Sequence, residues 1–195
     1  MTSVDVDTRT HRQRLLDGLA ASITEEGFRE TTVAGIVRRA RTSRRTFYEH
    51  FSSREECLIA LLADANRAMI QQISDAVDPG APWREQVRQA IETWIACAES
   101  EPAITLSWIR DVPALGAPAR ELQREAMEGF IAMTQRLTDT PALRAAGISP
   151  PSRQTAIILL GGLRELIATT VEDSGRAGDV TEVAVRASIA LLGPA

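Results

Sequence analysis

The sequence predicts an all-α protein built as a small three-helix head, a long connecting helix and a larger C-terminal helical domain. Three observations lead there. Apolar residues recur at helical spacing along almost the whole chain; no stretch alternates apolar with polar residues between hairpin turn signals; and proline or glycine clusters separate successive helical patterns. With 195 residues, 44% of them hydrophobic, the chain can bury a real core.

The elements follow in order. Thr10 with Gln13 makes a capping box, after which Leu15, Leu16, Leu19, Ala20 and Ile23 form one apolar stripe that ends near Gly27. Thr32 caps a short second helix with Val33, Ile36, Val37 and Ala40 facing inward. After a tight break, Ser43 caps a third short helix that runs through Thr46, Phe47 and Tyr48 to about His50. Phe28, Phe47 and Phe51 supply the bulky core that helices this short need. Ser53 with Glu56 forms a second capping box. The stripe of Leu58, Leu61, Leu62, Ala65, Met69 and Ile73 then continues to Asp78-Pro79-Gly80, a rod of about 24 residues or about 36 Å. Further helices are predicted over 82–100, 102–112, 118–137, 152–173 and 179–192, with a single turn around 142–146. The domain boundary is expected between residues 56 and 57, giving a head of 1–56 and a second domain of 57–195.

The net charge of −4 hides a local excess. All 22 basic residues are arginines, and residues 38–54 hold six of them (Arg38, Arg39, Arg41, Arg44, Arg45, Arg54) against one acid, Glu49, leaving −9 on the rest of the chain. Arg38 and Arg39 read as outer-face residues. Two short helices joined by a tight turn, the second opened by a small hydroxyl cap and flanked by arginines, have the layout of a DNA-binding helix-turn-helix.

The runs Thr31-Thr32-Val33-Ala34-Gly35-Ile36, Ala40-Arg41-Thr42-Ser43-Arg44-Arg45-Thr46-Phe47-Tyr48-Glu49-His50-Phe51 and Ser53-Arg54-Glu55-Glu56 resemble the signature of the TetR/AcrR family of bacterial repressors over about residues 10–62. The resemblance implies that Thr42, Ser43, Arg44, Arg45 and Thr46 open a recognition helix in the major groove. There an arginine can bond guanine O6 and N7 as a bidentate pair. It also implies that Tyr48, His50 and Arg54 hold the phosphate backbone, with Thr32 adding a hydroxyl and a helix N-terminus. Arg41 stands where the family's turn usually carries glycine, and a non-glycine residue at positive φ costs about 1 kcal/mol there. Gly35 weakens the second helix with no reason visible in the sequence.

For the C-terminal region the resemblance implies a cavity for a small-molecule effector enclosed by residues 82–173. Trp94, Trp108, Met127, Phe130 and Met133 are its candidate lining, each also readable as plain core, and Arg110 with Asp111 is placed to put charge at its mouth. The implied effector is apolar or amphipathic. The last two helices, with Ile157, Leu160, Leu163, Leu166, Ile167, Val183, Ala187, Ile189 and Leu191, carry more apolar surface than one small domain needs; the resemblance implies a homodimer through them, with Gly161-Gly162 allowing close approach. Such a dimer would grip a palindrome in double-stranded operator DNA, and effector binding would release it by a population shift.

Chemistry of other kinds is poorly provided for. His11 and His50 are the only histidines, no nucleophile triad, phosphate loop or HExxH pattern occurs, and Cys57 and Cys97 lie in apolar helical patterns without metal or redox spacing. The expectation is therefore no catalysis, no cofactor and no metal. The longest strongly apolar stretch, residues 156–163, is short for a bilayer, so no membrane partner and a cytoplasmic location are expected. A helix-turn-helix activator or an orphan DNA-binder without ligand fits the same residues, and a helical interaction module or enzyme is the remaining class.

Overall fold

The computed structural model describes residues 10–173 and 175–194, and among them the chain is helical with no strand. It divides into two compact units, one up to Leu62 and one from Ala63. The division falls inside a helix, six residues later than the expected 56/57 boundary. The reason is that Cys57, Leu58 and Leu62, early in that helix, are core residues of the head.

In the head, α1 (His11–Glu30) starts on Thr10, whose hydroxyl accepts from the Gln13 amide at 3.2 Å. Gln13 does not complete the expected box; its amide group donates instead to Asp17. Gly27, at φ 77°, breaks the regular helix where the stripe predicts its end, and one further turn carries Phe28 inward. α2 (Val33–Arg39) and α3 (Arg44–His50) are capped by Thr32 and Ser43 as expected. Arg41, in the turn between them, takes φ 49°, the left-handed conformation that the family pattern fills with glycine. Leu15, Leu16, Leu19, Ile23, Ile36 and Phe47 are completely or almost completely buried, and Phe28 and Phe51 join them.

The close approach of α1 to α2 depends on Gly18. A Cβ there would lie 2.8 Å from the Ile36 carbonyl oxygen and 3.1 Å from the Ala40 nitrogen, so two backbones cross where no side chain fits. Gly35 is buried, and an added Cβ would lie 3.3 Å from Arg39 Nη1, so the arginine side chain that passes it to reach Glu25 and Glu26 on α1 would have to shift by a few tenths of an ångström.

α4 (Arg54–Ala76) follows the head, and its N-terminus is capped one residue wider than predicted. Ser53 Oγ accepts from the Glu56 amide at 3.1 Å, while the Glu56 carboxylate accepts from the Ser52 amide at 2.6 Å and from its hydroxyl.

The second unit takes its core from α5 (Trp83–Ser100), α9 (Arg153–Glu172) and α10 (Thr181–Leu192), through Ile91, Ile95, Leu159, Leu163, Ile167, Ala184 and Val185. α6 (Pro102–Leu106) runs on as a π turn, Ser107–Asp111, and a 3-10 turn, Val112–Leu115, where an ordinary helix was predicted. Pro113 accounts for the change: it has no N–H for the Ile109 carbonyl, and its ring crowds that carbonyl, so the winding loosens just before it. α7 (Ala117–Thr138) and the short α8 (Pro141–Ala145) complete the set. By length and composition alone α9 would cross a bilayer, but its Leu159, Leu163 and Ile167 face is core of this unit and Arg164-Glu165 interrupts the run.

The two cysteines are free thiols. Burial pushes the Cys57 thiol up to about 12, whereas Cys97 is half-buried and donates to Gln72 Oε1 at 2.9 Å. The thiolate is the reactive form, so at pH 8 a disulfide reagent should modify native Cys97 and leave Cys57 untouched until denaturant is added. In open helix Gly18→Ala would stabilise by about 1 kcal/mol. Here it should destabilise by about 1–3 kcal/mol, read as a lower thermal midpoint, because the crossing must open.

Candidate nucleic-acid interface and cavity

The outward face of the head is what remains after the core is satisfied. Ser43 Oγ accepts from the Thr46 amide at 3.0 Å and lies 2.9 Å from the Thr46 hydroxyl, so both residues hold the first turn of α3. The cap directs Arg44 and Arg45 outward. Arg44 is exposed and makes no ion pair among the described residues, while Arg45 reaches one turn along to Glu49 at 3.1 Å. That exposed i,i+4 pair is weak and easily exchanged for another anion.

Tyr48 lies one turn beyond Arg44. It is 57% exposed, with its ring edge-on to buried Phe47 at 5.4 Å, which fixes the aromatic plane while leaving the phenol in solvent. His50 is exposed beside Phe51. Thr32 accepts from the Gly35 amide at 3.1 Å, an arrangement that leaves its own proton to donate elsewhere. Thr42 is half-buried, its amide donating to the Val37 carbonyl at 3.0 Å, so its main contribution is to the turn.

The six arginines of this stretch separate into two groups. Arg38, Arg41, Arg44 and Arg45 are exposed. Arg39, expected on the outer face, is only 16% exposed and pairs with Glu25, holding that carboxyl below its ordinary range. Arg54, expected on phosphate, is placed inward: Nη1 donates to the carbonyls of Phe28, Arg29 and Thr31, Nε donates to Glu55, and the guanidinium stacks 4.5 Å from the Phe28 ring centre. It closes the C-terminal end of α1, whose last carbonyls have no helical partner.

In the second unit, nineteen residues enclose an apolar cavity of about 80 Å³. Trp94, Phe130 and Met133 line it as expected; Trp108, Arg110 and Met127 do not. Arg110, expected at its mouth, is turned away to α9, where it bonds Glu172 at 2.6 Å and Glu165 at 3.0 Å and lowers both carboxyls. Sequence reasoning missed Trp83, Val87 and Leu163, whose spacing marks them only as helix stripe. Among the described residues no cluster of three His, Cys, Asp or Glu side chains is arranged for a metal.

Residues 15–61 match the family model described as bacterial regulatory proteins, tetR family. An uncharacterised HTH-type transcriptional regulator, YhgD of Bacillus subtilis, is 25% identical over 80 residues, 41% of this chain and 42% of its own length. The chain thus aligns with less than half of that relative. Two solved structures share the fold over nearly the whole chain. The fatty acid degradation regulator FadR of Bacillus halodurans has a TM-score of 0.80 at 13% identity, covering 93% of this chain and 95% of its own. FadR of Bacillus subtilis, solved in complex with stearoyl-CoA, has a TM-score of 0.78 at 15% identity, covering 93% and 99%.

Because Arg54 serves the fold, Arg54→Ala should leave the carbonyls at the end of α1 without a donor and cost about 1–3 kcal/mol of stability in denaturant unfolding. The slope of log affinity for duplex DNA against log salt should stay unchanged, whereas a lost phosphate contact would lower it by about one.

Proposed function

We propose, for a chain that belongs through residues 15–61 to the tetR family of bacterial regulatory proteins, a ligand-responsive repressor that binds a palindromic DNA operator as a homodimer. One observation carries the DNA reading: a helix capped by Ser43 presents exposed Arg44 and Tyr48 on one face, among further outward arginines, with its one acid, Glu49, paired to Arg45. Arg44 reads a base edge, with a planar fork suited to guanine. Tyr48, His50 and Thr32 donate to phosphate oxygens.

Dimerisation is assigned to α9 and α10. Ile158 is 63% exposed, Val183 49% and Leu191 41%, an apolar surface on two adjacent helices that a second copy would cover. Apart from their own helix, none of the described residues lies within 4 Å of a Cβ added at Gly161 or Gly162, so the stretch has room for a partner backbone. The cavity of the second unit receives an apolar or amphipathic effector, in keeping with the stearoyl-CoA held by the Bacillus subtilis FadR, whose fold this chain shares. Ile73 near the end of α4 lines that cavity, and the first turns of α4 are core of the head, so α4 is the element through which occupancy acts on operator affinity. A coupling of about 1–3 kcal/mol is sufficient for about a 5–150-fold change in affinity.

The test is a titration against a fluorescent duplex carrying the palindrome selected from random DNA, at two salt concentrations. Nanomolar, salt-sensitive binding is expected. Arg44→Ala should cost about 1–3 kcal/mol and relax preference at one base pair, while Tyr48→Ala should weaken all sequences alike. If no duplex is selected or bound, the regulator reading fails.

A further inference from the structure

The cavity shares a wall with a second, shallower groove. Trp83, the first residue of α5, lines both, and the groove is completed by Arg84, Arg186, Ile189, Ala190, Gly193 and Pro194. The indole fits there because residue 193 is glycine: a Cβ at that position would lie 3.3 Å from the Trp83 ring and 2.8 Å from the Ile189 carbonyl oxygen. The ring therefore stands between a hydrocarbon interior and a basic exterior.

The interior offers no charge to an ionic group: no charged residue lines it, and the side-chain protons of Gln86, Thr134 and Thr138 are already engaged. Gln86 Nε2 donates to the Ala81 carbonyl at 2.8 Å, the Thr134 hydroxyl to the Phe130 carbonyl at 2.9 Å, and the Thr138 hydroxyl to the Thr134 carbonyl at 2.8 Å. A charge carried inside would lose its hydration without replacement.

The exterior is the reverse. Arg84 stacks on the Trp83 ring at 4.6 Å, and Arg84 and Arg186 are exposed with no carboxylate within ion-pair distance among the described residues. Arg88, one turn further along α5, shows what pairing would look like, since Glu92 and Glu182 both hold it. Two exposed arginines without a hydrogen-bonded carboxylate thus line a groove that shares Trp83 with the apolar cavity, Arg186 one turn from Glu182, whose carboxyl it helps to lower.

We infer that the effector is an anionic amphiphile, its unbranched hydrocarbon tail in the cavity and its carboxylate or phosphate head against Arg84 and Arg186 across Trp83. This rests on the reading that the cavity receives the effector. A cavity of about 80 Å³ is smaller than the roughly 150 Å³ that takes up benzene, so it holds only the first few carbons of a tail. An eight-carbon chain is the probe, with its remaining carbons lying along Trp83 toward the groove.

The experiment is calorimetric titration of the full chain with octanoate, 1-octanol and octyl phosphate, repeated on the Arg84→Gln/Arg186→Gln double variant. Two exposed charge pairs give octanoate about a tenfold advantage over octanol. The double variant should erase that advantage while leaving octanol affinity unchanged, which also shows that the variant is folded. Octyl phosphate binding more tightly than octanoate, with the gain erased in the double variant, assigns the head to phosphate; octanoate binding more tightly than octyl phosphate assigns it to a carboxylate. If octanol and octanoate bind the wild type equally, or the octanoate advantage survives in the double variant, the head-group inference is overturned and the cavity reading stands. If none of the three binds, the cavity reading fails and takes the inference with it.

Discussion

A helix of seven residues does not hold its shape in water, because nucleating a turn costs more than so few hydrogen bonds return. α2 and α3 are both that short, and α3 carries the side chains assigned to DNA. Their geometry is therefore a property of the packing around α1. Gly18 lets α1 and α2 meet backbone to backbone, and Phe47, fully buried, anchors the middle of α3 in the same core. Once that anchor fixes which side of α3 faces inward, the directions of Arg44 and Tyr48 are set by helical geometry alone. The end of α3 that carries Arg44 needs no tertiary contact of its own, which leaves it free for a ligand.

The same core decides what each arginine does. Arg39 lies over a glycine and reaches two glutamates on α1, and Arg54 gathers three carbonyls at the end of that helix. Both are held by groups far away in sequence: Glu25 lies 14 residues from Arg39, and Phe28 lies 26 from Arg54. A charge count along the chain cannot see such pairings. The share of the basic stretch left exposed is smaller than its net charge suggests: Arg38 at the end of α2, Arg41 in the turn, and Arg44 and Arg45 on α3.

Legibility in the sequence followed the range of the interaction involved. Helix periodicity and the Thr32 and Ser43 caps rest on residues within a turn or two of each other and could be read directly, while the positive φ at Arg41 was implied by the family resemblance. Local chemistry misled only in detail, as when Glu56 reached Ser52 where Ser53 was expected, or Pro113 loosened its helix into a π turn. What Gly18 and Gly35 face became visible only when a second helix, or a side chain four residues on, lay beside them. Cavity membership was the least legible feature. Trp94 and Trp108 look alike as apolar residues on helical stripes, yet Trp94 alone lines the space, because that depends on where α7 and α9 pass.

The composition of the cavity also limits what kind of selectivity it can have. Its hydroxyl and amide protons are spent on the backbone, so no lining group is left unpaired when a ligand lacking a hydroxyl or amide enters. Strong discrimination of about 10⁴–10⁵ arises when a site's buried polar group is stranded by the wrong ligand, and that source is missing here. Hydrocarbon walls separate ligands differing by one methylene by only about 10–200-fold, and Met133, unbranched and flexible, softens even that. An effector held in such a cavity would be selected as a class of molecule, with its exact length loosely set. Tighter selection has to come from groups outside it, and Arg84 and Arg186 are the polar residues lining the groove that shares its Trp83 wall.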